Sequence, residues 1–192
     1  MDDIHTIGHS RHTLDKLIEL LSMHGIARVA DVRSQPYSRR NPQFNRETLS
    51  GALAEAGIEY AFLGRELGAR SEDPGCYLAG RVSFDLLART LLFRQGLEIV
   101  EREARARRLA LMCAEKDPLI CHRTILVCRQ LASRGLDARH ILEDGRIESH
   151  QDALTRLLAE HGIKDRELFQ SREELVAEAY TRRGRRIAYR EK

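Results

Sequence analysis

Short apolar runs alternate along this chain with segments whose apolar positions recur every three or four residues. Residues 4–7 form the first run and read as a strand. Leu14, Leu17, Ile18 and Leu21 then recur at helical spacing, with Thr13 placed to cap the helix and Gly25 placed to end it. Residues 26–32 read as a second strand, 46–56 as a helix stopped by Gly57, and 58–63 as a third strand. A polar, glycine-rich loop fills 64–82; loops of that length inside a compact domain commonly carry function. The pattern is helical over 84–108, with an interruption expected near Gly96. An apolar strand follows at 109–113, then a helix built on Ile125, Leu126, Val127, Cys128, Leu131 and Ala132 that closes near Gly135. Residues 138–142 read as a fifth strand, and Glu143-Asp144-Gly145-Arg146 as a turn leading to a hairpin partner. Residues 151–161 and 171–182 have amphipathic helical spacing, and the basic end, 182–192, reads as a loose tail. Strands separated by helices predict an α/β fold: one domain over residues 1–192, with a mostly parallel central sheet and helices on both faces.

Composition narrows the function. Apolar residues make up 42% and charged residues 32%, which suits a soluble globular protein. Aromatic residues are only 5% and tryptophan is absent, which argues against a broad base-stacking platform. The formal net charge of +3 permits contact with phosphate without demanding nucleic acid. No run approaches the length of a membrane span, so no membrane partner is expected. The acidic start, Met1-Asp2-Asp3, has no apolar run behind it and does not read as a signal peptide, so a cytoplasmic location is expected. There the four cysteines, Cys76, Cys113, Cys121 and Cys128, should be thiols rather than structural disulfides. Cys128 falls on the apolar face of its helix and reads as core.

Three loops should meet at the carboxyl edge of such a sheet, where ligands of open α/β folds gather. They are Gly8-His9-Ser10-Arg11, the stretch from Asp31 through Asn45, and residues 113–123. In the last, Asp117 can cap a helix that Pro118 begins, which puts Cys121 near its first turn. The helix dipole and Arg123 would both favour a thiolate there. Cys121 is thus the candidate nucleophile, with His9 or His122 as proton carrier and Asp31 and Glu115 as strand-end carboxylates suited to acid–base work. The other reading of Cys121 is a cysteine that only packs.

Cys113 at a strand end invites comparison with rhodaneses and cysteine phosphatases. The phosphatase spacing needs arginine six positions later, where Leu119 stands, and the loop lacks glycines to cradle an oxyanion. Arg33, Arg39, Arg40 and Arg46 share one loop with Tyr37, Asn41, Gln43, Phe44 and Asn45. Arginine forks hold phosphates, and Asn and Gln can read bases. Arg33, Arg39, Arg40, Asn41, Lys116 and Arg123 are therefore the candidate ligand-binding residues. Pairing of these arginines with Asp31, Glu47 or Glu115 is the competing expectation. Cys113, Cys121, His122 and His9 are an alternative ligand set for Zn or Fe, although seven residues between the cysteines is not a zinc-ribbon spacing.

Four segments carry a resemblance. Thr6-Ile7-Gly8-His9-Ser10, Asp31-Val32-Arg33-Ser34, Ser38-Arg39-Arg40-Asn41-Pro42-Gln43-Phe44, and Cys113-Ala114-Glu115-Lys116-Asp117-Pro118 through Cys121-His122-Arg123 resemble, in order and in wording, the signature segments of the family called domain of unknown function 488. The similarity covers about residues 4–150, which leaves 151–192 as a helical extension able to support a homodimer. The resemblance implies no activity, and no cofactor follows from it. Two classes of function remain: an enzyme acting on a nucleotide or nucleic acid through a Cys/His/Arg site, and a noncatalytic module that binds one. A Cys/His metal protein is the further alternative.

Overall fold

In the computed structural model, which describes residues 3–164 and 170–191, the five apolar runs and the predicted hairpin partner become six strands of one sheet. They are β1 (Ile4–Gly8), β2 (Arg28–Asp31), β3 (Glu59–Phe62), β4 (Leu109–Cys113), β5 (Ala138–Ile141) and β6 (Ile147–Ser149). Their order is β3-β2-β4-β1-β5-β6; the first five are parallel, and β6 folds back antiparallel on β5 through the predicted turn. The longer helices are α1 (Leu14–Met23), α2 (Arg46–Glu55), α3 (Leu91–Ala106), α4 (His150–Glu160) and α5 (Arg172–Ile187).

The sheet is covered on both faces. Val29, Ala110, Met112 and Ile141 pack against Leu17, Leu20 and Leu21 of α1 and Leu49 and Leu53 of α2. Ala30, Leu109, Leu111 and Ala138 meet Phe93, Leu97 and Val100 of α3, Leu154 and Leu157 of α4, and Leu175 and Ala179 of α5. All five residues of β4 are buried, because alternate side chains enter opposite cores. This two-core packing is why residues 109–113 read as an unbroken apolar run rather than an alternating one. No helix among the described residues is long and apolar enough to cross a membrane.

The topology positions the site. From β1 the chain enters α1 on one face, whereas from β4 it enters the helical segment 118–132 on the other. β2, whose chain runs on to α2 on the α1 face, is the other neighbour of β4, and the residues that follow these two strands, 33–35 and 113–115, line a cleft at their carboxyl ends.

Two local expectations are corrected. The helix over 84–108 breaks at residues 88–90, where Thr90 caps α3 with its side chain, and it runs unbroken through Gly96. Gly96 is where α3 crosses the short helix Gly64–Leu67; a Cβ there would fall 2.7 Å from Glu66 Cβ. Residues 182–191 are not loose. Tyr189 O accepts from Val82 N–H (3.0 Å) and Glu191 N–H donates to Gly80 O (2.9 Å), laying the tail beside the hairpin of Tyr77–Leu78 and Arg81–Val82.

Candidate active site

The pairing of β1 with β4 continues past both strands. His9 N–H donates to Cys113 O (2.9 Å) and Ser10 N–H to Ala114 O (2.9 Å). A Cβ on Gly8 would lie 1.9 Å from Glu115 O, a backbone atom that cannot yield, so glycine lets the two loops run together. On the other side Val32 N–H donates to Met112 O (3.0 Å). The three predicted loops therefore share one rim.

After β4 the chain turns at Asp117. Its carboxylate accepts from Leu119 N–H (3.0 Å) and is gripped by both Nη atoms of Arg156 (2.9 and 3.1 Å), which ties the turn to α4. Pro118 opens a single helical turn, Pro118–Ile120, as its fixed φ favours. Cys121 breaks that turn in an extended conformation (φ −127°, ψ 140°), and its carbonyl accepts from Thr124 and Ile125 N–H (3.2 and 3.1 Å). Cys121 thus stands at the start of a new helix rather than inside the first. This helix is π-helical over Arg123–Cys128, and all six of those residues are buried because the segment runs between the sheet and α5.

Cys113 Sγ, Cys121 Sγ and His122 Nδ1 lie within 4.8 Å of one another. Nδ1 is 3.6 Å from Cys113 Sγ and 4.0 Å from Cys121 Sγ. His122 Nε2 lies 3.0 Å from Val32 O, and a carbonyl only accepts, so Nε2 carries its hydrogen and Nδ1 faces the sulfurs. Behind them Arg123 is 0% exposed. It donates to Glu115 O, to Lys116 O (3.1 Å) and to Thr6 Oγ1 (3.4 Å), and pairs with no carboxylate among the described residues. Burial raises the Cys121 thiol, but the neighbouring Cys113 thiol, the Arg123 guanidinium and His122 draw it well below the ordinary range. Cys113 moves the opposite way: the neighbouring Cys121, followed by burial, pushes it well above that range.

Arg123 also anchors a buried chain. Thr6 Oγ1 accepts from Arg123 and lies 2.8 Å from His140 Nδ1. His140 Nε2 is hydrogen-bonded to His150 Nδ1 (3.1 Å), and His150 Nε2 to Tyr180 Oη (2.9 Å). Burial, followed by His150 and Arg123, holds His140 well below the usual histidine range, and burial lowers His150. Burial and then Arg33 bring His9 down to about 4. Histidines lowered in the fold gain protons on unfolding once pH drops below the ordinary value of about 6.5. Their contribution to stability is whole above that pH and is lost as pH falls through it towards the folded values. The loss should be about 1.4 kcal/mol per pH unit for each ring kept neutral. The urea midpoint is therefore expected to drop between pH 7.5 and 5.5; an unchanged midpoint would contradict neutral burial of these rings.

Asp31 and Arg33 form a closed pair. Arg33 Nε donates to Asp31 Oδ1 (2.9 Å) and Nη2 to Oδ2 (2.6 Å), while Tyr60 Oη donates to Oδ2 (2.7 Å). Arg33 also reaches Phe44 O (2.9 Å) and His9 Nε2 (3.2 Å). Arginine only donates, so His9 Nε2 accepts and Nδ1–H is left for Ser10 O (3.0 Å). With both nitrogens engaged and its ring stacked on Phe44 at 4.3 Å, His9 does not face the cleft.

The cleft itself has a volume of about 290 Å³, and Cys113, Cys121, His122, Arg33, Arg70 and Tyr189 are on its walls. Glu115 is exposed at its rim. Arg70, at the mouth, donates to Gln35 Oε1 (3.0 Å) and lies over the Tyr189 ring (4.7 Å). Of the predicted residues, the cleft brings together Cys121, His122, Cys113, Arg33 and Glu115, with Arg123 beneath. Arg39 and Arg40 are exposed and outside it; their loop is shaped by Ser38 Oγ, which accepts from Arg40 and Asn41 N–H (3.2 and 3.1 Å). Lys116 faces a separate groove and pairs with Glu143 (3.1 Å). Arg70 and Tyr189 were not foreseen, since one lies in an irregular loop and the other in the terminal tail. Cys113, Cys121 and His122 could together hold one soft metal ion, with a fourth position open to the cleft. His9 is not among those donors.

A family model described as Domain of unknown function DUF488 matches residues 13–129. Comparison with curated proteins and with solved structures gave no match.

Proposed function

Since the chain belongs to the DUF488 family, whose description names no activity, we propose a function from the site itself: an enzyme acting on a phosphate-bearing ligand, a nucleotide or a nucleic acid, with Cys121 as its nucleophile. The convergence of two thiols and one imidazole on the wall of a cleft that also holds Arg33 and Arg70 carries this reading. Cys121, at a helix start and above a buried guanidinium, attacks as the thiolate. His122 Nδ1 holds or returns the proton, its ring fixed by Val32 O. Arg33 is already matched by Asp31, so Arg70 is the cation left to meet a phosphate. No carboxylate pairs with it among the described residues.

Calorimetric titration with nucleoside mono-, di- and triphosphates and a short single-stranded oligonucleotide tests this. Arg70→Ala should weaken the bound nucleotide about tenfold, about 1.4 kcal/mol. Arg40→Ala, outside the cleft, should leave affinity unchanged. Cys121→Ser should keep binding and lose the covalent adduct or product seen by mass spectrometry. Affinity unchanged in Arg70→Ala would refute the ligand assignment. Chemistry unchanged in Cys121→Ser would refute the nucleophile, and a ligand bound without any chemistry would leave a binding module.

A further inference from the structure

We propose that Cys113 and Cys121 form a reversible disulfide, made by reaction with a hydroperoxide, and that this bond switches the site off. The inference rests on the reading of Cys121 as the reactive thiol and adds a second role to Cys113, which that reading leaves idle.

Geometry supports it in three ways. The two sulfurs lie within 4.8 Å of each other, and both stand on the wall of the same cleft, so a small oxidant reaches them together. All four cysteines are buried, but Cys128 and Cys76 stand on no part of that wall. Cys121 is extended between two helical segments, not inside either, so its side chain is free of the rotamer limits a helix imposes. Finally, His122 Nδ1 lies close to both sulfurs, 3.6 and 4.0 Å, and can serve each half of the reaction.

The chemistry balances. The Cys121 thiolate attacks one oxygen of hydrogen peroxide; an S–O bond forms, the O–O bond breaks, and the departing hydroxide takes a proton from solvent. Cys121 is then a sulfenic acid. Cys113 gives its proton to His122 Nδ1, and its sulfur attacks the Cys121 sulfur. The S–S bond forms, the S–O bond breaks, and the expelled hydroxide takes the proton back from His122. Two sulfurs are oxidised, and one peroxide is reduced to two waters. With its lone pair committed to the S–S bond, Cys121 can no longer attack the ligand. Attack by an external thiol restores both groups.

The test uses the whole chain and hydrogen peroxide. Trypsin cleaves after Arg108, Lys116 and Arg123, so Cys113 and Cys121 fall on separate peptides that only a disulfide can join. The joined pair should appear after peroxide and vanish on reduction. Cys113→Ser should stop at the sulfenic acid on Cys121, trapped by dimedone, and Cys128→Ser should behave as the parent. Peroxide that leaves both thiols free, or oxidises Cys121 past the sulfenic acid while Cys113 stays intact, would overturn the proposal. So would a metal held by the two thiols that blocks the reaction. Failure to form the disulfide, with nucleotide chemistry still dependent on Cys121, removes this inference alone. A disulfide in a protein that binds no nucleotide removes the functional reading alone.

Discussion

Replacing Asp31 by alanine should destabilise the fold by about 3–5 kcal/mol, the usual cost of stranding one member of a buried ion pair. Asp31 is fully buried and Arg33 is 6% exposed. The carboxylate binds two nitrogens of that arginine and the hydroxyl of Tyr60, whose proton it helps retain after burial itself. Without Asp31 the guanidinium keeps only Phe44 O and His9, both neutral. A domain of ordinary stability holds about 5–15 kcal/mol, so this loss is a large share of the total. Asp31→Asn should cost less, because it keeps an acceptor for Tyr60. The double change Asp31→Ala with Arg33→Leu should recover much of the loss, since it removes the stranded charge as well. Urea denaturation of the three variants checks the order. A single Asp31→Ala variant as stable as the parent would show that the pair does not anchor this edge.

The second large effect concerns Arg123. Arg123→Met should slow alkylation of Cys121 at neutral pH about tenfold or more, because the thiolate loses the buried guanidinium beside it. Raising the pH should restore the rate. Arg123→Lys, which keeps a charge but cannot bridge Glu115 O and Lys116 O together, should fall between the two. Its stability should fall as well, because each loop carbonyl left unpaired costs about 1–3 kcal/mol. If alkylation were as fast in Arg123→Met as in the parent, the guanidinium would have no part in ionising the thiol.

Much of the fold was legible because the five parallel strands lie in apolar runs bounded by polar turns, and both faces of the sheet are covered. The meeting of the 8–11, 31–34 and 113–123 loops followed from parallel strands alone. Side-chain direction did not follow. The four arginines of residues 33–46 looked alike in the sequence, yet Arg33 turns inward to Asp31 while Arg39 and Arg40 face water. One residue separates Asp31 from Arg33, so their pairing was open to a local reading. The Thr6, His140, His150 and Tyr180 chain joins positions up to 174 residues apart, and no local pattern reports it. The break at Cys121 was hidden for another reason. Asp117 and Pro118 signal a helix start correctly, but an ordinary sequence pattern cannot distinguish one turn from a full helix when the packing behind it widens into a π-helix.

The ionisation of the two cleft thiols is the claim everything at this site depends on. Thiolate absorbance followed against pH in the parent, in Cys113→Ser and in Cys121→Ser measures it directly. In the parent, one thiolate should appear well below the value of about 8.5 of a free cysteine, and that step should vanish in Cys121→Ser. If the parent has no thiolate until pH 8.5 or above, the assignment of Cys121 as an acidified nucleophile is wrong.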